Sequence, residues 1–260
     1  LLHAPQDPVT LARADDPSAE RLSGHIELRN VTFGYEPDGP PLISDLSLTI
    51  APGTRVAIAG GSGSGKSTLA KIILGLFEPQ GGVVLYDGKP VNEIPRSIWA
   101  SSVGYVAQDV SLIEGTVRDN FTLWDETIPM SDVRQAAKDA EIDDIISTRT
   151  GGYDSQVNEG GSNFSGGQRQ RIEIGRALVR NPRILVLDEA VAALDATTEA
   201  RVDRNLRRRG CTSVCIAHRL STLRDADEIL VLEQGRLVER GTHDELVKLD
   251  GRYAQLIRLS

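Results

Sequence analysis

The sequence predicts an α/β fold around a buried sheet, and three observations carry that expectation. Apolar runs of strand length alternate with helical periodicities along most of the chain. One run, "RILVLDE" (183–189), is apolar until it ends in two acids, as suits a parallel strand covered on both faces. Another, "RVAIAG" (55–60), passes through a glycine-rich turn straight into a helical stripe.

The elements follow in order. Residues 1–24 are rich in Pro, Asp, Ala and Ser, lack periodicity, and are expected to be a tether or linker. In "HIELRNVTFGY", Ile26 and Leu28, then Val31 and Phe33, alternate around an expected bulge. "LSLTI" (46–50) and "RVAIAG" are further strands, parted by the turn "APG". In "KSTLAKIILGL", Leu69, Ile72, Ile73 and Leu76 fall at i, i+3, i+4 and i+7, which predicts a helix with one buried stripe. "GVVLYDGKPV" predicts a hairpin and "VGYVAQD" a short strand. Residues from about 115 to 180 are expected to be mostly helical, with loops at "WDETIP" and "RTGGYDSQVNEGGSN". Another helix follows "RILVLDE" and should finish at "RNLRRRG" (204–210) as a solvated end: Arg suits the negative pole of the helix, and Gly210 the position just past it. "TSVCIAH" and "EILVLEQGRLVERG" are the last strand signals. Thr242 and Glu245 form a capping-box pattern in the C-terminal helical region.

Composition bounds the function. The 260 residues are 40% hydrophobic and 25% charged, as in an ordinary soluble globular protein. Unbroken apolar runs reach about six residues, against the ~20 needed to cross a bilayer, and no stretch resembles a signal peptide. The chain opens on Leu rather than Met, which suggests a piece of a longer chain. A net charge of −8 argues against nucleic acid as the main partner. Cys211 and Cys215 are too few for a disulfide scaffold or a zinc site and are expected to be buried thiols in a reducing compartment.

"GGSGSGKST" (60–68) satisfies the P-loop pattern through Gly60, Gly65, Lys66 and Ser67, and lies between a strand and a helix as that pattern requires. Its glycines let backbone amides converge on phosphate oxygens. The helix start adds its positive pole, Lys66 adds a point charge near the β- and γ-phosphates, and Ser67 can ligate Mg²⁺. At the end of "ILVLDE", Asp188 is placed at the carboxyl edge of a strand, where it would hold Mg²⁺ directly or through water. Glu189 comes next, where a hydrolase needs a base for the attacking water. In "NFSGGQRQR", Ser165 is placed as an N-cap, and the bare glycines after it leave a turn with no side chains to cover it. Such a turn is either a helix cap alone or a second phosphate cradle, one suited to a γ-phosphate presented by another molecule.

Over residues 25–260 the chain resembles the ATP-binding domain of ABC transporters. "VTFGYEP" contains Tyr35 where the family's aromatic stacks on adenine. "GGSGSGKST" matches Walker A across Gly60, Gly61, Ser62, Gly63, Ser64, Gly65, Lys66, Ser67 and Thr68. Gln108 in "YVAQD" matches the Q-loop glutamine, a Mg²⁺ sensor that contacts the membrane domain. "FSGGQ" matches the signature motif, Ser165, Gly166, Gly167 and Gln168, with Phe164 where Leu is usual. "ILVLDE" matches Walker B, Asp195 in "AALD" the D-loop, and His218 in "AHRLST" the switch histidine that contacts the γ-phosphate and orients water. The resemblance implies a P-loop NTPase fold: a RecA-like core, an antiparallel β subdomain, and a helical signature subdomain over about 109–180. It also implies ATP and Mg²⁺ as cofactors, with Ser67, Gln108 and Asp188 around the metal, Glu189 as base, and Lys66 and His218 stabilising charge. The expected partner is a second copy, packed head to tail when ATP is bound, each signature completing the other copy's site. Without nucleotide a monomer or weak dimer is expected.

Where the family usually reads Ala-Thr-Ser-Ala-Leu-Asp after the base, this chain has "AVAALD", so Val191 and Ala192 lose two hydroxyls; altered communication between sites is expected, with hydrolysis retained at both. "GTVRDN", "EGGSNFSGGQRQR" and "AHRLST" resemble exporters, in which this domain is fused behind a transmembrane domain at the cytoplasmic face of the bacterial plasma membrane. "NEGG", with Glu159, resembles the segment that touches the coupling helices. Finer details resemble exporters of bacteriocins or peptides with nitrile-hydratase-like leaders; lipid or drug export is the alternative. A soluble ABC ATPase of DNA repair or translation would usually carry a coiled-coil insertion, a second ATPase domain or basic arms, and a non-catalytic regulator would not need Glu189 and His218.

Overall fold

The computed structural model describes residues 21–36, 39–191, 193–217 and 219–258. Most of the expected tether (1–20), together with Ala192 and His218, lies outside the described residues. Within them the strands are β1 (Ile26–Phe33), β2 (Ile43–Ile50), β3 (Arg55–Gly60), β4 (Gly81–Tyr86), β5 (Lys89–Pro90), β6 (Val103–Val106), β7 (Gly115–Thr116), β8 (Gln156–Val157), β9 (Ile184–Asp188), β10 (Thr212–Ile216), β11 (Glu228–Glu233) and β12 (Arg236–Gly241). The helices are α1 (Lys66–Ile73), α2 (Arg96–Ser102), α3 (Val117–Thr122), α4 (Met130–Asp139), α5 (Asp143–Thr148), α6 (Gly166–Leu178), α7 (Ala196–Arg209), α8 (Leu220–Arg224), α9 (His243–Leu249) and α10 (Arg252–Arg258).

The main sheet has the order β12-β11-β3-β10-β9-β6. Its strands are parallel except β12, which closes one edge antiparallel. Burial on both faces explains the unbroken apolar runs: along β9, Leu185 and Leu187 enter one core with α6 and α7, while Ile184 and Val186 enter another with α1. Along β3, Ala57 and Ala59 join a third core with residues of α8, α9 and α10. The α/β expectation is met.

A second sheet, β2-β1-β4-β5, is antiparallel. The bulge expected in β1 falls between the pairs Leu28↔Leu48 and Val31↔Leu46, with Asn30 at φ 49°. The expected hairpin turns at Asp87 and Gly88, both in the left-handed region. Residues 21–25 are fastened to both sheets: Asp87 accepts from the amides of Ser23 (2.6 Å) and His25 (3.2 Å), and Thr212 Oγ1 donates to Gly24 O (2.7 Å).

Four local expectations need correction. Helix α1 stops at Ile73, because Gly75 takes a left-handed conformation (φ 66°), and Leu76 is 60% exposed rather than part of the buried stripe. Strand β2 begins at Ile43, ahead of "LSLTI". The mostly helical region contains a two-stranded ribbon, β7 against β8. The end of α7 is not simply solvated: Arg208 is 69% exposed, but Arg209 is 12% exposed and bonded to the buried Asp139. Gly210 caps α7 as expected, the Thr242–Glu245 capping box opens α9, and both cysteines are free and buried.

Candidate nucleotide site

The parallel sheet delivers the candidate residues to one edge. Strands β3, β10, β9 and β6 lie side by side, so the segments at their carboxyl ends are brought together: the P-loop after β3, Asp188 and Glu189 at the end of β9, and Gln108 beyond β6. Ile216, the last residue of β10, stands in register with Asp188; His218, two residues further on, is outside the described residues.

Gly60 to Thr68 form one continuous loop and helix start. A β-carbon at Gly61 or Gly63 would meet nothing within 4 Å, so the backbone there is open to a ligand; at Gly65 (φ 101°) it would lie 2.7 Å from Ile43 Cδ1. Ser62 is exposed, and Ser64 Oγ is buried with no hydrogen-bond partner among the described residues. The Lys66 ammonium is turned back into the loop, donating to Gly60 O and Gly61 O, both at 2.9 Å. Burial lowers its pKa, and the charges of Glu189 and Asp188 oppose that shift. The loop is seated from below by the β11–β12 turn: Gly235 N donates to Ser64 O (3.1 Å), and Gly235 O accepts from Ser44 N (3.1 Å).

Asp188 is 4% exposed at the sheet edge. Glu189 takes a left-handed backbone (φ 52°), and its carboxylate accepts from Gln108 Nε2 at 3.4 Å. Tyr35 is 64% exposed; its hydroxyl lies 3.0 Å from Thr68 Oγ1, and its ring stands edge-on to Phe33 and Phe77. Tyr35 therefore presents an aromatic surface at the end of the P-loop.

Ser165 caps α6, its hydroxyl accepting from Gln168 N while Gln168 Oε1 accepts from Ser165 N (3.0 Å). Ser165 and Gly166 are exposed, whereas Gly167 lies against the Ala193 carbonyl, which a β-carbon would approach to 3.1 Å. Phe164 is buried, with the Arg149 guanidinium 4.0 Å above its ring. Asp195 caps α7, accepting from Thr197 N (3.1 Å), Thr198 N (3.0 Å) and Thr198 Oγ1 (2.7 Å). Those bonds, the Thr198 hydroxyl's first, hold its carboxyl below the usual range.

Gln170 carries no motif in the sequence. It is 3% exposed on α6 and bonds the backbone on either side of the loop between Glu189 and the α7 cap. Its only sequence signal is a long polar residue on the face of α6 that also carries Ile174.

The donor set suits a hard cation shared with phosphates. Ser67, Gln108 and Asp188 offer a hydroxyl, a carboxamide and a carboxylate, and Mg²⁺ bound beside a nucleotide takes few protein oxygens. Among the described residues no group of three or more His, Cys, Asp or Glu could hold a metal by itself.

A family model described as ABC transporter matches residues 43–192. The chain is 45% identical over 245 residues to the exotoxin translocation ATP-binding protein PaxB of Pasteurella aerogenes, covering 93% of this chain and 34% of that protein. It is 43% identical over 241 residues to the beta-(1→2)glucan export ATP-binding/permease protein NdvA of Agrobacterium fabrum, covering 92% and 41%. The chain thus spans well under half the length of these relatives. Among solved structures, a bacterial Atm1-family ABC exporter with ATP bound superposes with a TM-score of 0.85 at 40% identity, covering 94% of this chain and 44% of that one.

Proposed function

The chain belongs to the ABC transporter family, with the ATP-binding fold of its exporters, and from that premise we propose that it hydrolyses ATP to drive export of a peptide or bacteriocin. The observation that carries the reading is the convergence of Lys66, Asp188, Glu189 and Gln108 beside an open glycine cradle. Residues 25–260 are the ATP-binding domain, with its helical subdomain over about 109–180, and residues 1–24 link it to a transmembrane domain at the cytoplasmic face of the bacterial inner membrane.

In this reading Tyr35 stacks on adenine, and residues 60–68 wrap the phosphates. Lys66 exchanges its loop carbonyls for phosphate oxygens and balances the negative charge they carry. Ser67, Gln108 and Asp188 hold Mg²⁺, which when bound neutralises charge on the β- and γ-phosphates. Glu189 accepts the proton of the attacking water, while His218 orients it against the γ-phosphate. The turn Ser165–Gly167, exposed at Ser165 and Gly166, and Gln168 cap the γ-phosphate held by a second copy, and Asp195 faces that copy across the dimer. Hydrolysis removes the ligand that favours closure, so the pair opens and biases the attached membrane domains.

Peptidic cargo is supported by similarity to an exotoxin translocation protein. Similarity to a glucan exporter, almost as high, supports a non-peptide cargo as the second reading.

Light scattering of Glu189→Gln tests the core of the proposal. We expect ATP turnover to fall roughly 10²–10⁴-fold, and a dimer to form only with ATP and Mg²⁺ and to disappear on adding Ser165→Arg. An unchanged hydrolysis rate would remove Glu189 from its role. A tight dimer without nucleotide would remove the ATP-driven closure.

A further inference from the structure

We propose that Gln170 is a positioning residue for Glu189: its carboxamide clamps the loop between the catalytic base and the α7 cap and so fixes where the base stands. The inference rests on the reading of Glu189 as the base.

The clamp has two arms. Gln170 Nε2 donates to Glu189 O at 3.3 Å, and Gln170 Oε1 accepts from Ala193 N at 2.9 Å. The carboxamide orientation is dictated by these partners, since a carbonyl can only accept and an amide can only donate. One planar group with one donor end and one acceptor end is what the loop requires, and an uncharged carboxamide carries both at any pH. Asn is one methylene shorter.

The clamped backbone needs holding. Glu189 is in the left-handed region at φ 52°, a conformation a residue with a β-carbon keeps only when its surroundings impose it. The intervening residues give no polar side chain of their own, because 191 and 192 are Val and Ala. A turn bond within the loop, from Leu194 N to Val191 O (3.1 Å), lies downstream of Glu189.

The anchor is rigid. Gln170 is 3% exposed on α6. The same helix is fixed to the segment after Gln108, where Glu173 accepts from Ser111 N (3.2 Å) and Arg176 donates to Ser111 O (3.0 Å). Against α3, Gly175 packs so closely that a β-carbon would lie 2.3 Å from Phe121 Cε1. The helix whose start is proposed to cap the partner's ATP therefore also sets the base of its own copy.

The test is steady-state ATPase on this chain with Gln170→Met and Gln170→Glu, beside wild type and Glu189→Gln, together with nucleotide affinity and thermal melts. Methionine keeps the length and loses both bonds. We expect kcat to fall roughly 10–100-fold, as for a small misplacement of a reacting group, with KM and ATP affinity within about threefold of wild type. Glutamate when protonated restores one donor and one acceptor. Burial at this position favours the neutral form of the introduced carboxyl, so its protonated share grows as pH falls. The Gln170→Glu to wild-type rate ratio should rise between about pH 8 and about pH 6, a response mere loss of packing would not produce. This variant keeps the proposal falsifiable if Gln170→Met fails to fold. Wild-type kcat in Gln170→Met, or a flat ratio across pH, would overturn the clamp while leaving the ATPase reading intact. A wild-type rate in Glu189→Gln would overturn both.

Discussion

At Tyr35 a single exposed ring is the surface proposed to receive the nucleotide base. Its hydroxyl is engaged by Thr68, and its edge contacts with Phe33 and Phe77 leave it 64% exposed. Tyr35→Ala should weaken ATP binding roughly 5–150-fold, from the ~1–3 kcal/mol of a base–aromatic stack. Tyr35→Phe should cost far less, because it removes only the Thr68 bond; titration with a fluorescent nucleotide reads both. Gly235 is a residue-scale constraint of another kind. It is left-handed (φ 73°), and a β-carbon there would sit 1.6 Å from Leu42 O, which no rotamer relieves. Gly235→Ala should destabilise the chain by about 2 kcal/mol or more in denaturant melts, and should loosen ATP binding because Gly235 N holds Ser64 O. The sequence displays Gly235 as a turn glycine in "EQGRL"; that it supports the P-loop depends on β2 arriving from far upstream.

Among the elements, helix caps were legible and helix lengths were not. Ser165 reads as an N-cap, which the structure completes into a capping box with Gln168, and Thr242–Glu245 reads as a capping box, because the bonds they make span three residues, well inside a sequence window. Thr116 and Asp119 form another at the start of α3, on which Phe121 packs against α6. Thr116→Ala should cost about 1 kcal/mol in equilibrium unfolding. The apolar period that extended α1 to Leu76 failed because Gly75 turns the chain before that residue. Nothing in the periodicity marks where a helix runs out of surface to cover. Phe164, a departure from the usual Leu, is accommodated by stacking under Arg149, a partner fifteen residues upstream that no local pattern announces.

Over the molecule as a unit, the helical region is joined to the sheet through buried charge as well as apolar contact. Asp139, at the end of α4, is 4% exposed and accepts from Arg208 (3.0 Å) and Arg209 (2.7 Å) at the end of α7. Asp139→Ala would leave Arg209, 12% exposed, without its carboxylate. We expect a loss of about 2–3 kcal/mol, below the usual range for a broken buried pair because Arg208 stays in water. Chemical unfolding followed separately by Trp124 fluorescence, with Trp99 replaced by Phe, and by far-ultraviolet dichroism should show the helical region loosening first. The triple arginine reads from sequence as a solvated helix end, since the acid that binds it lies on another helix.

Fold class, the order of the motifs and the chemistry each can perform were all legible in the chain's own letters, because strand burial, glycine turns and capping boxes are written in contiguous residues. Lys66, Asp188 and Glu189 were candidates on the same grounds, each close to the end of a strand, and Gln108 was one by resemblance to the family's Q-loop glutamine. Which strands lie side by side, and so which of these residues meet, came from the folded arrangement alone. So did Gln170 spanning from α6 to the loop after Glu189, Gly235 beneath the P-loop and Asp139 under the arginines. Those contacts join residues far apart in the chain, and hydrogen bonds and close packing act on distance in space, to which local sequence pattern is blind.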